Sequence, residues 1–201
     1  MSSLMQAITA ADSLDEIASA IVWDLHQQSP PRRAAGPIGV RLSLADGVVP
    51  GAVLVSGIAP VLGRGVVAAA VEDDNCRHRV VRYAAAQATR LGVPLRVVHV
   101  WGEHGSPCTV RHHQMAEADL LLSEVLGEDG AAEREILHDR DAARALTALS
   151  REVALIVVAA RSRPAGAGEP LGDTVRGLAG HTFCPLAVLS SGGPPSVADD
   201  D

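Results

Sequence analysis

Lysine is absent from this chain of 201 residues, and all 17 of its basic residues are arginines. This absence excludes the chemistries that depend on a lysine amine, such as P-loop and protein-kinase nucleotide sites and Schiff-base enzymes. Aromatic residues are also scarce, at 2% of the chain. Base-stacking nucleic-acid surfaces depend on aromatic side chains, as carbohydrate clefts do, so neither kind of site is expected.

The chain is acidic, with a formal net charge of −7 and no dense run of arginines. Such a chain repels phosphate backbones, so we expect no nucleic acid as partner. Three separated cysteines without a C-x-x-C pair are typical of reduced thiols in the cytoplasm. The first residues lack the basic segment of a signal peptide, and no apolar run approaches the ~18 residues of a membrane span. We therefore expect a cytoplasmic protein that does not enter a membrane.

Residues 1–62 differ in pattern from the rest of the chain. Ser13 and Glu16 fit a capping box, and apolar residues then recur at helical spacing, which predicts a helix at about 13–28. Alternating residues around an Asp-Gly turn predict a hairpin within 38–58. We interpret this segment as an N-terminal extension with a packing or dimerising role. The alternative is that it carries the function itself, by covering the sheet or docking a partner.

Residues 63–190 alternate apolar runs with helical patterns. Apolar runs without polar alternation, such as 65–71 and 153–159, are typical of strands buried on both faces. Five such strands joined by helices predict an α/β domain, with a five-stranded parallel sheet that carries helices on both faces. The helices have apolar stripes, and Leu91 belongs to a stripe that is expected to face inward. The tail, 191–201, is rich in small and polar residues and is expected to be disordered.

Three segments resemble one known family. GVPLRVVHVW at 92–101 is similar to the second strand of the universal stress protein family, DAARALTALSREVALIVVAA at 141–160 to its helix and fourth strand, and CPLAVLS at 184–190 to its last strand. The resemblance covers about residues 65–190, one whole domain. It implies an adenine nucleotide alpha hydrolase-like fold with strand order 3-2-1-4-5. It also implies a stress-response role with a protein signalling partner, and a homodimer through the C-terminal strand, which pairs across the dimer interface in many members.

The resemblance further implies where a nucleotide would bind. In nucleotide-binding members an aspartate ends the first strand, and the fourth strand runs into G-x-x-G, nine residues and G-[S/T], whose glycines and hydroxyl contact phosphates. This pattern puts Glu72 in place of the aspartate and keeps the last glycine as Gly172. It puts Ala159 and Ser162 in place of the first two glycines, and Asp173 in place of the hydroxyl residue. The spacing from Gly172 to the last strand agrees with the family, so the residues have changed and the alignment has not slipped.

These changes weaken a phosphate site. A Cβ in place of either early glycine would crowd a phosphate oxygen near the backbone. Asp173 is expected to act as an N-cap and to repel phosphate by about 4 kcal/mol for charges ~4 Å apart, at an effective dielectric constant of about 20. We therefore predict a non-enzymatic regulatory protein with a degraded ATP-binding loop and no cofactor. The alternative is an ATP- or ADP-binding stress sensor with slow or no ATPase activity, in which Arg161, Arg163 and Thr174 replace the missing groups.

A histidine-rich segment is the remaining candidate for a metal site. His104, Cys108 and His112 recur at every fourth position, and His113 follows. Because Gly-Ser-Pro interrupts any helix that would align the first ligand, we interpret the segment as a solvent-exposed loop and predict no metal site. His99 lies within a buried strand pattern and is expected to make an internal hydrogen bond rather than to take part in catalysis.

Overall fold

The computed structural model describes residues 2–27, 40–43, 51–58, 65–102, 108–126, 132–161 and 170–190. Within these ranges the helices are α1 (Ser2–Gln27), α2 (Arg77–Leu91), α3 (Cys108–Leu126), α4 (Ala142–Leu149) and α5 (Asp173–Leu178). The strands are β1 (Val40–Ser43), β2 (Ala52–Val55), β3 (Val67–Val71), β4 (Leu95–Trp101), β5 (Glu133–His138), β6 (Leu155–Ala159) and β7 (Leu186–Leu189). The predicted tail, residues 191–201, lies outside the described ranges. Among the described helices, none is both long and apolar enough to cross a membrane.

The strands form one mixed sheet in the order β1-β2-β7-β6-β3-β4-β5. The last five strands of the chain run parallel to one another and reproduce the order 3-2-1-4-5. The α/β class and this order are therefore confirmed. The predicted number of strands is too low, because the hairpin β1–β2 joins the same sheet, antiparallel to β7.

The parallel strands are buried from both faces, as apolar runs without alternation predict. On one face, Ile156 and Leu186 pack in a layer to which α1, α4 and α5 contribute. On the other face, Val157 and Ala187 pack in a layer with Tyr83, to which α2 and α3 contribute. The sheet thus separates two apolar layers, called here the α4/α5 face and the α2/α3 face.

Local sequence signals place the ends of two helices. Gly92 ends α2 in the left-handed conformation, with φ of 65°, as predicted. Asp141 begins α4, and its carboxylate accepts the Arg144 backbone N–H at 3.1 Å. The inward position predicted for Leu91 is wrong, because this residue is 48% exposed. Periodicity locates an apolar stripe, but it does not show where along the helix the sheet beneath it stops.

The N-terminal extension packs on the α4/α5 face. α1 extends N-terminal of Ser13, so the predicted capping box of Ser13 and Glu16 lies inside the helix and does not begin it. Leu14, Ile17 and Ile21 are buried in the same layer as strands β2, β6 and β7. The extension therefore packs on the sheet and covers part of it, which agrees with a packing role and equally with the alternative; whether residues 1–62 carry the function stays a prediction.

The outer edge of β7 is occupied within the chain. β2 runs antiparallel to β7, from Ala52 opposite Leu189 to Val55 opposite Leu186. The edge through which the C-terminal strand was expected to form a homodimer is therefore occupied in this structure, because β7 pairs with β6 on one side and with β2 on the other; the homodimer itself stays a prediction. The sequence did not predict the pairing of β2 with β7, because this pairing is a tertiary contact between residues far apart in the chain.

Candidate functional site

A small cavity lies at the carboxyl ends of β3 and β6, where the order of the parallel strands reverses. Ligands of open α/β sheets bind at this kind of position. Most of its described lining is apolar and comes from β3, β4, β6 and α4. Its polar lining residues are Glu72, Asp74, Arg77 and Thr174. The cavity volume is about 40 Å³, well below the roughly 300–1,000 Å³ typical of small-molecule sites.

The structure brings several predicted site residues together. Glu72, Ala159 and Thr174 line the same cavity. Gly172 immediately precedes α5, and its backbone N–H donates to the Ala160 carbonyl at 2.7 Å, which ties the start of α5 to the end of β6. Arg161 follows β6 and is half-buried. Ser162 and Arg163 lie outside the described residues.

Asp173 does not have its predicted capping role. Gly172 occupies the N-cap position, with φ of −82° and ψ of 163°, and no side-chain hydrogen bond caps the helix. Asp173 is the first residue of α5, and it is exposed. A side chain caps a helix from the residue before its first turn, so the prediction placed Asp173 one position too early. The exposed carboxylate still carries negative charge in the first turn of α5. Because solvent screens an exposed charge, its repulsion of a phosphate is weaker than the expected ~4 kcal/mol.

Three consecutive acidic residues, Glu72, Asp73 and Asp74, follow β3, and two of them, Glu72 and Asp74, line the rim of the cavity. The Asp74 carboxylate accepts the backbone N–H of Cys76 at 2.8 Å, just before α2 begins. Burial raises the pKa of Asp74; the hydrogen bond from Cys76 opposes this shift, and the charge of Glu72 adds to it. The loop between β3 and α2 therefore gives the rim a negative charge.

Arg77 is the one cation among the described residues that line the cavity. Its guanidinium donates to the Asp73 carboxylate at 2.6 Å and to the Glu124 carboxylate of α3 at 2.8 Å. Two carboxylates thus already balance its charge. Arg77 is not among the predicted site residues; its position in the first turn of α2, four residues after Asp73, was the signal in the sequence that could have found it.

His99 makes the internal hydrogen bond predicted for it. Its Nδ1 lies 2.9 Å from the Val71 carbonyl oxygen. A carbonyl can only accept, so Nδ1 carries the hydrogen and donates. The bond joins β4 to the end of β3 and gives this imidazole a structural role.

The structure describes two of the three cysteines, but not the side chains of the histidine-rich segment. Cys76 and Cys184 are buried thiols, and burial raises the pKa of Cys184 to about 12. His104 and the side chains of Cys108, His112 and His113 lie outside what the structure describes. Within the described part of the chain, no group of three or more candidate ligands is placed to hold a metal ion.

Parallel strands in the order 3-2-1-4-5, helices on both faces and a cavity at the reversal of strand order define a doubly wound α/β domain. Comparison with family models identifies the family within this class. The model of the universal stress protein family matches residues 64–190, and the chain belongs to that family.

Curated relatives and solved structures agree with this membership. Universal stress protein MT2052 of Mycobacterium tuberculosis (strain CDC 1551 / Oshkosh) is 29% identical over 146 residues. This match covers 59% of the present chain and 46% of the relative, so the chain spans about half the length of the curated relatives it matches.

Two solved structures have the same fold. Universal stress protein UspA from Lactobacillus plantarum has a TM-score of 0.54 at 15% identity, covering 64% of this chain and 99% of that chain. The hypothetical protein MJ0577 has a TM-score of 0.55 at 10% identity, covering 66% and 99%. At these identities the likeness shows the fold alone.

Proposed function

We propose that this chain is a non-enzymatic regulatory protein of the stress response whose phosphate site no longer supports tight ATP binding. The observation that carries the proposal is the composition of the cavity at the reversal of strand order. Glu72 and Asp74 line it, and Ala159 stands where the family pattern has a glycine. Asp173 opens the helix that follows. In this proposal the protein acts in the cytoplasm through a protein signalling partner, without a cofactor.

The charges around the cavity support the proposal. The Arg77 guanidinium is balanced by Asp73 and Glu124, so the carboxylates of Glu72 and Asp74 leave the rim negative. A triphosphate would bring several negative charges to this rim, and like charges in proximity repel. For Arg77 to bind phosphate, it would have to give up contacts to two carboxylates.

A nucleotide sensor is the second candidate function. Thr174 favours it, because this hydroxyl-bearing residue lines the cavity one position after the expected hydroxyl residue. Arg161 lies at the end of β6, where phosphates would approach. In this alternative the chain binds ATP or ADP with slow or no hydrolysis, and the charge of Asp173 has little effect on affinity.

Isothermal titration with ATP and ADP separates the two candidates. We expect no micromolar binding by the unmodified chain, and an association constant about fivefold higher for Asp173→Ser, because two like charges ~4 Å apart repel by about 1 kcal/mol even at the dielectric constant of water. Asp119→Ser is the matched control, because it removes an exposed carboxylate from α3 that does not line the cavity. Micromolar binding by the unmodified chain, unchanged in Asp173→Ser, would establish the sensor and overturn our proposal.

A further inference from the structure

A second, larger cleft lies on the α2/α3 face of the sheet, beside the cavity at the reversal of strand order. Its described walls come from α3, from the end of β4 and from the segment that joins β3 to α2. Its volume is about 490 Å³, within the roughly 300–1,000 Å³ typical of small-molecule sites. Among the described residues, Arg77 alone lines both spaces. This space, called here the α3 cleft, is therefore a separate candidate binding site.

One face of α3 forms a wall of the α3 cleft. Glu117, Leu120, Leu121 and Glu124 line the cleft, and spacings of three, four and seven residues place side chains on one face of a helix. Because a helix rises about 1.5 Å per residue, the positions of Glu117 and Glu124 lie about 10 Å apart along the axis of α3. The wall thus carries a carboxylate at each end and two leucines between them.

Trp101, the last residue of β4, supplies the aromatic part of the lining. Its ring contacts the ring of His138 in β5, with 4.3 Å between centroids and 46° between planes, and this contact restricts the indole. Alkyl chains pack on leucine and indole side chains, and an ammonium group is attracted to the face of an indole. Leu120 is 69% exposed, so a ligand with an alkyl chain would cover apolar surface that now contacts solvent.

The charges that line the α3 cleft favour an extended cation. Asp73 and Glu124 accept from the Arg77 guanidinium at 2.6 and 2.8 Å, and an ionised carboxylate can accept further hydrogen bonds. Together with Glu117, three carboxylates face one guanidinium among the described lining residues, which leaves an excess of two negative charges. In the part of the chain that the structure describes, no three such groups are close enough to hold one metal ion. The arrangement therefore suits positive charges that are spread along a ligand.

We propose that the α3 cleft binds a linear aliphatic polyamine. One terminal ammonium group lies at Glu117, the other lies at Asp73 and Glu124, and the alkyl chain packs along Leu121 and Trp101. Such a ligand complements the excess negative charge, and its length matches the separation of about 10 Å between the two acidic ends. The proposal does not depend on whether the other cavity binds a nucleotide, because the two sites have different walls.

Isothermal titration of the full chain with spermidine tests the proposal. Diaminooctane and putrescine carry the same charge, but only diaminooctane is as long as spermidine, so this pair isolates the effect of length. Glu117→Gln removes one acidic end, and Asp119→Asn is the matched control, because Asp119 is an exposed carboxylate of α3 outside the described lining. Trp23→Phe leaves Trp101 as the only tryptophan, so its fluorescence reports binding in the cleft. Triarginine tests a basic protein segment as the occupant.

We expect one spermidine bound per chain, with a change in Trp101 fluorescence. We expect diaminooctane to bind at least about fivefold more tightly than putrescine, because the shorter diamine loses the charge contact at one end. Glu117→Gln should weaken spermidine binding about fivefold, and Asp119→Asn should leave it unchanged.

Three results would overturn the proposal. The first is no binding of spermidine. The second is an equal effect of Glu117→Gln and Asp119→Asn, which would show general attraction to an acidic chain. The third is a response of Trp101 to triarginine but not to spermidine, which would assign the α3 cleft to a basic segment of a protein.

Discussion

Replacing Ile21 with alanine tests whether α1 is part of the core of the family domain. Ile21 is 0% exposed, in the layer that contains Ile156 and Leu186 at the centre of the sheet. Truncation of a fully buried isoleucine to alanine costs about 2–5 kcal/mol, from lost burial and from the cavity left behind. For a chain of this size, that loss lowers the melting temperature by roughly 4–20 °C.

Urea denaturation followed by far-UV circular dichroism measures this cost, with Val22→Ala as the matched control. Val22 is the next residue of the same helix and is 40% exposed, so its truncation should change stability by less than about 0.5 kcal/mol. If Ile21→Ala also stays within about 0.5 kcal/mol of the unmodified chain, the packing of α1 on the sheet would be refuted.

Three further predictions concern the cavity rim, a close backbone approach and a buried thiol. Burial raises the pKa of Asp74 above 3.8, so its ionised form weakens folding at neutral pH and this cost disappears below 3.8. Asp74→Asn should therefore raise the urea midpoint at about pH 7 and lose that advantage at about pH 3; an equal gain at both pH values would contradict this. Gly102→Ala should cost about 1–3 kcal/mol, because its Cβ would lie 2.5 Å from the Asp139 carbonyl oxygen. Gly172→Ala should be tolerated, because its Cβ would lie 3.5 Å from the nearest atom, the Ala160 carbonyl oxygen. Equal urea midpoints for Gly102→Ala and Gly172→Ala would refute this difference. With a pKa of about 12, Cys184 should react with iodoacetamide only after unfolding. Mass spectrometry that finds the Cys184 peptide labelled after treatment of the folded protein would contradict this prediction.

The parallel part of the fold follows from local patterns. Buried strands are continuous apolar runs, and signals such as Asp141 and Gly92 mark helix ends through hydrogen bonds with nearby backbone. The position of the hairpin does not follow from local patterns. The pairing of Val53 with Val188 joins residues far apart in sequence, and nothing near either residue specifies the other.

The site was predictable where it depends on the order of strands and helices, and not where it depends on how the helices pack. Glu72, Ala159 and Thr174 meet because the carboxyl ends of neighbouring parallel strands, and the helix that follows them, share one edge of the sheet. The pairing of Arg77 with Glu124 depends on how α2 and α3 pack, which the sequence does not show. The role of Asp173 depended on the residue at which α5 begins, and helix ends are uncertain by one or two residues from pattern alone.

The nucleotide content of the purified protein tests the central proposal, the loss of tight ATP binding, most directly. The full chain is purified without added nucleotide and denatured, and the released small molecules are quantified by anion-exchange chromatography with detection of adenine absorbance. With carboxylates at the cavity rim and Asp173 opening α5, we predict only trace adenine nucleotide. One ATP or ADP released per chain would contradict the account.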